Sequence, residues 1–135
     1  MTRETEQLLL SRARDVLENA WGVYSGIRVA AALLASDGTI HTGVNVENSS
    51  YGLTVCAERN AIFRAVGEAR RDFSAMAIVS DSQYINSPCG ACRQVMAEFS
   101  PDMEVLVQSP AGTFRSTVRE LLPGAFTLKG EHKNG

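Results

Sequence analysis

Apolar residues fall along this chain in blocks of two different periods. Over residues 3–21, Leu8, Leu9, Val16, Leu17 and Ala20 recur at spacings near 3.6 with arginines and glutamates between them, which predicts one amphipathic helix ended by Gly22. Residues 28–36 (RVAAALLAS) are a nearly continuous apolar run, followed by Asp37-Gly38 and then residues 39–44, the pattern of two strands joined by a tight turn. Residues 45–54 are polar and include Gly52, so they read as loop. Residues 56–69 set Ala57, Ala61, Ile62, Ala65 and Val66 on one helical side, with Cys56 at the helix N-terminus. Residues 73–80 (FSAMAIVS) predict a buried strand and residues 81–88 a loop. Ala91, Val95 and Phe99 then mark a helix over residues 89–99, whose first turn holds Cys89 and Cys92. Residues 104–108 and 113–116 read as short strands. Thr117 with Glu120 three residues later predicts a capped closing helix, and a loose tail is expected from about residue 128, including residues 129–135.

This alternation predicts an α/β fold with helices on both faces of one mixed five-stranded sheet, a three-layer α/β/α arrangement, in a single domain over residues 1–135. The four residues 109–112 are enough to close a hairpin, whereas a parallel connection needs a crossover of about a dozen residues or more, so the last two strands should be antiparallel.

A length of 135 residues suits one core, and 44% hydrophobic with 21% charged residues excludes disordered and fibrous classes. The formal charge of -2 supplies no basic field for a polyanion, which argues against nucleic-acid or anionic-membrane partners and for a small neutral ligand. No apolar run approaches the roughly 20 residues of a membrane span. Acidic residues precede the first apolar cluster, unlike a signal peptide, so a cytoplasmic location is expected. Three cysteines, Cys56, Cys89 and Cys92, are an odd number and too few to staple a small secreted scaffold; metal binding or catalysis is the better expectation.

Cys56-Ala57-Glu58 and Pro88-Cys89-Gly90-Ala91-Cys92 together match the pattern of zinc deaminases in its three-cysteine form. Alone, the second segment would fit a redox pair or half of a structural zinc knuckle. The cysteines would otherwise be buried hydrophobes or a disulfide, and Glu58 a solvated helix carboxylate. A closed structural site needs a fourth ligand, but there is no fourth cysteine, and His41 and His132 stand at no ligand-like spacing. Three ligands leave one position open, which hydrolytic zinc requires because the metal lowers the pKa of a water from 15.7 towards roughly 7. Glu58, about 200° around the helix from Cys56, is placed for proton transfer and not for ligation. Three thiolates on a divalent cation carry a net negative charge, which two helix N-termini offset. Arg59, one turn on from Cys56, is a candidate donor of hydrogen bonds to the sulfurs, the alternative being an ordinary surface cation.

On these residues the chain resembles the homotetrameric cytidine deaminases, from Tyr24-Ser25 through Ala31-Ala32-Leu33-Leu34, Asp37-Gly38, Asn45-Val46-Glu47-Asn48, Tyr51, Cys56-Ala57-Glu58-Arg59 and Ser87-Pro88-Cys89-Gly90-Ala91-Cys92-Arg93-Gln94 to Leu121-Leu122-Pro123-Gly124-Ala125-Phe126. The resemblance implies hydrolysis of cytidine or deoxycytidine to the uracil nucleoside and ammonia, in pyrimidine salvage, with one zinc ion per subunit of a homotetramer that shares its active sites. It implies Cys56, Cys89 and Cys92 as ligands, Glu58 as the catalytic acid and base, and substrate contacts at Ile27, Asn45, Glu47, Ala57, Tyr51 and Phe126. An amide and a carboxylate together can donate to and accept from a 3′-hydroxyl, and the carboxylate would repel a 3′-phosphate, favouring a free nucleoside. The alternative for Asn45 and Asn48 is that they only shape a turn. By the same likeness Phe126 reaches a neighbouring subunit's site and Tyr51 lines an intersubunit contact; the alternatives are a local core plug and a packed loop tyrosine.

The chain departs from the resembled pattern at Val23, Ile27 and Ala30, where proline, phenylalanine and glycine are usual. The phenylalanine lies against the pyrimidine, and Ile27 lacks the roughly 0.5–1.5 kcal/mol that an aromatic pair contributes beyond area burial. A second reading is therefore deamination of a modified cytosine nucleoside or a nucleoside-like antibiotic of the blasticidin S type. A zinc-stabilised binding module without turnover would leave Glu58 and the open ligand position without a role.

Overall fold

The Thr2 hydroxyl accepts the Thr5 N–H and starts helix α1 (Arg3–Leu17), with Glu4 and Glu6 in the first turn favouring the positive end of the helix dipole. A computed structural model of the protein describes residues 1–128; the tail expected over residues 129–135 lies outside them. The helix is shorter than the 3–21 that its apolar spacing predicts. Asn19 and Ala20 donate back to Val16 and Leu17 in a closing turn, and Trp21 leaves the helix to donate to the Asn45 carbonyl and bridge to Val46. Backbone pairing with a segment distant in sequence outweighs the local periodicity at that end.

Strands β1 (Val29–Ala35) and β2 (Ile40–Val44) form the expected hairpin, with Gly38 at φ 90° in the turn. A 3₁₀ turn over Tyr51–Leu53 leads to helix α2 (Ala57–Gly67), then strand β3 (Phe73–Ser80) and helix α3 (Gly90–Phe99). Strands β4 (Glu104–Ser109) and β5 (Gly112–Thr117) and helix α4 (Val118–Leu121) follow. Helix α4 begins at a capping box in which the Thr117 and Glu120 side chains serve each other's backbone N–H groups.

The sheet runs β2-β1-β3-β4-β5. Only β3 and β4 pair in parallel, α3 providing the crossover; β4 and β5 are antiparallel across their short connection, as the loop length requires. Along β1, Ala30 and Ala32 face the α1 layer with Leu9, Leu10, Ala13 and Leu106, whereas Ala31 and Leu33 face α2 and α3 with Ile62, Met76, Ile78 and Met96. Both faces of the sheet are covered at β1, which is why that strand reads as a continuous apolar run and not as an alternation. Each fully buried Leu or Ile contributes roughly 1.5–3 kcal/mol relative to exposure. A Cβ at Gly43 would stand 2.4 Å from the Ala61 nitrogen and 2.6 Å from the Ala57 carbonyl oxygen, so this glycine lets the backbone of α2 lie directly on β2.

Candidate active site

Cys56 and Cys89 are the N-cap residues of α2 and α3, and neither spends its side chain on a capping hydrogen bond. The starts of the two helices meet at the C-terminal side of β3, and Cys92 joins from the first turn of α3. All three sulfurs lie within 4.8 Å of one another, Cys56 to Cys89 at 3.7 Å and Cys89 to Cys92 at 3.3 Å, as free thiols. A tetrahedral zinc with Zn–S of about 2.3 Å spaces its sulfurs about 3.8 Å apart, so this donor set fits the ion in both element and spacing. Among the described residues no fourth Cys, His, Asp or Glu belongs to the group. The disulfide and buried-hydrophobe readings fail on the same geometry.

The surroundings favour thiolate at Cys56. A hydrogen bond from Cys92 and the Arg59 guanidinium, whose Nη2 donates to Cys56 Sγ at 3.5 Å, bring its pKa down to about 5 against the opposing effect of burial. The Cys56 sulfur in turn pushes the Cys92 thiol up, with burial adding to it. Arg59 is held in its charged form by the hydrogen bond to Cys56, and its Nε is buried without a protein partner among the described residues. Arg59 is thus half-buried and turned to the sulfurs, not a solvated surface cation.

Glu58 is 5% exposed on the second residue of α2. Burial pushes its carboxyl up to about 7, and the negative charge on Cys56 works in the same direction. Such a carboxyl takes and releases a proton close to neutral pH. Ala57 beside it is fully buried, and Ile27 is half-buried and packs on the same apolar cluster as Cys56.

A second group of polar atoms is carried by the segment that leads into α2. Val46 exchanges two backbone hydrogen bonds with Val55, the residue before Cys56, and Glu47 donates its N–H to the Trp21 carbonyl, so Asn45 and Glu47 are tied to the start of α2. Asn45 is buried; its Oδ1 accepts the Val29 N–H at 2.8 Å and its Nδ2 donates to the Ile27 carbonyl at 2.9 Å. Glu47 Oε1 accepts the N–H groups of Tyr24 at 2.9 Å and Ser25 at 3.0 Å, and Oε2 accepts the Ser25 hydroxyl. The Ser25 hydroxyl and N–H, then the Tyr24 N–H, hold the Glu47 carboxyl below the usual carboxylate range. A cleft of about 330 Å³ opens here, lined by Tyr24, Ser25, Glu47, Asn48, Tyr51 and Thr54. Asn48 does shape a turn, its Oδ1 accepting the Ser50 N–H.

Not every expected site residue converges within the chain. Tyr51 is 78% exposed on the rim of the cleft, and Phe126 is 72% exposed against a different hollow beside α4, its carbonyl accepting from Gln94 Nε2. Neither is a packed residue, so the core-plug and packed-tyrosine readings do not hold in this chain. His41 lies in β2, buried, with Nδ1 3.1 Å from the Glu68 carboxylate, remote from the sulfur group as its spacing implied. Sequence reasoning missed Tyr24 and Ser25 as partners of Glu47, since hydrogen bonds to backbone N–H groups leave no residue pattern. It also missed Gly43, although a glycine inside a strand is a signal of close backbone approach.

The family model described as "Cytidine and deoxycytidylate deaminase zinc-binding region" matches residues 3–108. The chain is 51% identical over 125 residues to the cytidine deaminase of Halalkalibacterium halodurans, covering 91% of this chain and 95% of that one. It is 49% identical over 121 residues to the cytidine deaminase of Sporosarcina psychrophila, covering 88% and 89%. The crystal structure of cytidine deaminase from Burkholderia pseudomallei aligns with a TM-score of 0.85 at 41% identity, over 93% of this chain and all of that one.

Proposed function

The chain belongs to the zinc-dependent cytidine deaminase family, and on that premise we propose that Cys56, Cys89 and Cys92 hold the metal while Glu58 carries the proton in hydrolytic deamination of cytidine and deoxycytidine to the uracil nucleoside and ammonia. The observation that supports these roles best is the grouping of three free sulfurs at two converging helix starts beside one buried carboxyl. When bound, zinc supplies a nucleophilic water ionised near neutral pH and polarised towards the substrate.

The protein's own residues do the rest. Glu58, poised near neutrality by burial, accepts a proton from the attacking water and delivers it to N3 of the pyrimidine as the new C–O bond forms at C4. It then returns the remaining hydroxyl proton to the exocyclic amine, the C4–N4 bond breaks, and ammonia leaves with the ring as uracil. Asn45 and Glu47 hold a sugar hydroxyl, the 3′ one, through one amide donor and one carboxylate acceptor. Ala57 and Ile27 form apolar wall around the base; an isoleucine in place of an aromatic ring gives a weaker hold on cytidine or a roomier pocket.

The same reading includes a homotetramer with shared sites, in the cytoplasm and in pyrimidine salvage. In support, Trp21, Tyr51, Leu53 and Phe126 are large apolar residues more than half exposed and so available to contact another chain. The three thiols are unpaired, as in a reducing compartment. Among the described residues no helix is long and apolar enough to cross a membrane. Ammonia release from purified protein supplied with cytidine, deoxycytidine, 5- and N4-substituted cytidines and blasticidin S tests the proposal. Release from the two unmodified nucleosides is expected, and release from blasticidin S alone would replace them as substrates.

A further inference from the structure

The carboxylate of Glu47 is more heavily engaged than a group waiting for a ligand need be. A carboxylate offers about four acceptor sites, two on each oxygen. The Tyr24 and Ser25 N–H groups fill both on Oε1, and the Ser25 hydroxyl fills one of the two on Oε2. The hydroxyl of Ser25 is itself oriented, because its oxygen accepts the Ile27 N–H at 3.0 Å and its proton is therefore turned towards Glu47.

The same accounting at Asn45 leaves one N–H of the amide unspent, the other having gone to the Ile27 carbonyl. Ile27 thus joins the two side chains, its N–H held by Ser25 and its carbonyl by Asn45. The Tyr24 hydroxyl and Ser49 Oγ, 2.6 Å apart, close the loop a second time. What remains is a single charged acceptor site on Glu47, which lines the cleft, and a single amide donor on the buried Asn45, together the complement of one hydroxyl group, which both gives and accepts a hydrogen bond.

We propose that Ser25 is a positioning residue for hydroxyl recognition: by occupying one site of Oε2 and fixing the carboxylate, it leaves Glu47 a single acceptor position aimed at one sugar hydroxyl. The proposal deepens, and rests on, the reading that Asn45 and Glu47 hold that hydroxyl. Removing the Ser25 hydroxyl leaves the carboxylate held at Oε1 alone by the two backbone N–H groups and opens a second acceptor site on Oε2, so the cost falls on substrates that carry the hydroxyl and not on the chemistry at C4.

The test compares kcat and KM for cytidine and 3′-deoxycytidine in wild-type enzyme, Ser25→Ala, Ser25→Thr and Glu47→Gln, each checked for zinc content. Ser25→Ala should raise KM for cytidine about tenfold with kcat changed less than about twofold, and 3′-deoxycytidine should be affected less than about twofold. Ser25→Thr, which restores a hydroxyl, should recover most of the loss. Equal penalties on both nucleosides in Ser25→Ala, or a threonine variant no better than alanine, would overturn the proposal even if Glu47→Gln penalises cytidine more than 3′-deoxycytidine. If Glu47→Gln also penalises both nucleosides equally, the hydroxyl reading of Asn45 and Glu47 falls, and the role of Ser25 with it.

Discussion

Arg59 Nη2 donates to Cys56 Sγ at 3.5 Å from one turn further along the same helix. A cationic donor on a ligand sulfur stabilises the thiolate and withdraws negative charge from a site that would otherwise hold three anionic ligands on one divalent ion. Arg59→Gln should therefore lower zinc affinity or turnover by about 10–100-fold, the range seen when groups supporting metal ligands are removed. Zinc competition with a chelator, run beside steady-state kinetics, measures both. Unchanged affinity together with unchanged turnover would show the contact to be incidental.

Cys56→Ala removes a sulfur from a three-membered donor set to which no other Cys, His, Asp or Glu among the described residues belongs. Zinc per chain, measured by elemental analysis after dialysis, should fall well below one, and activity should fall with it. Full occupancy in this variant would remove Cys56 from the ligand set.

Gly43→Ala places a Cβ against the backbone of α2, 2.4 Å from the Ala61 nitrogen, where no side chain can move aside. The variant should lose about 1–3 kcal/mol of stability by denaturant titration, the usual cost of overpacking, and bind zinc more weakly because α2 carries Cys56 and Glu58. Wild-type stability would mean that the helix and strand separate without cost.

Much of this was legible in the residues. The strand runs, the N-terminal positions of the cysteines on their helices and the antiparallel final hairpin follow from period, spacing and loop length. Two kinds of feature were not. The first is where a backbone leaves a periodic segment for a distant partner: Trp21 continues the apolar spacing of α1, yet its N–H goes to Asn45. The second is the use of backbone donors, as at Glu47, where the sequence shows a carboxylate in a polar loop but not the Tyr24 and Ser25 N–H groups that fix it.

Stability in acid should carry the signature of Asp37. The Thr39 hydroxyl and N–H, with Arg70, hold its carboxyl at about 2, below the roughly 3.9 of an unfolded chain. Because the folded value is the lower one, the contribution is fully present above about pH 4 and is lost as pH falls towards 2. Thermal unfolding of Asp37→Asn across that interval should show a shallower acid decline than wild type. Parallel curves would mean that the Thr39 and Arg70 contacts do not persist in solution.

Glu58 is the one buried carboxyl beside the sulfur group among the described residues, and proton transfer by such a group typically contributes about 10²–10⁴ in rate. The most direct measurement is the turnover of cytidine by Glu58→Gln whose zinc content equals that of wild type. A loss of at least about 10² at full metal occupancy is expected; a rate matching wild type would mean that the proton travels by another route and that the central assignment is wrong.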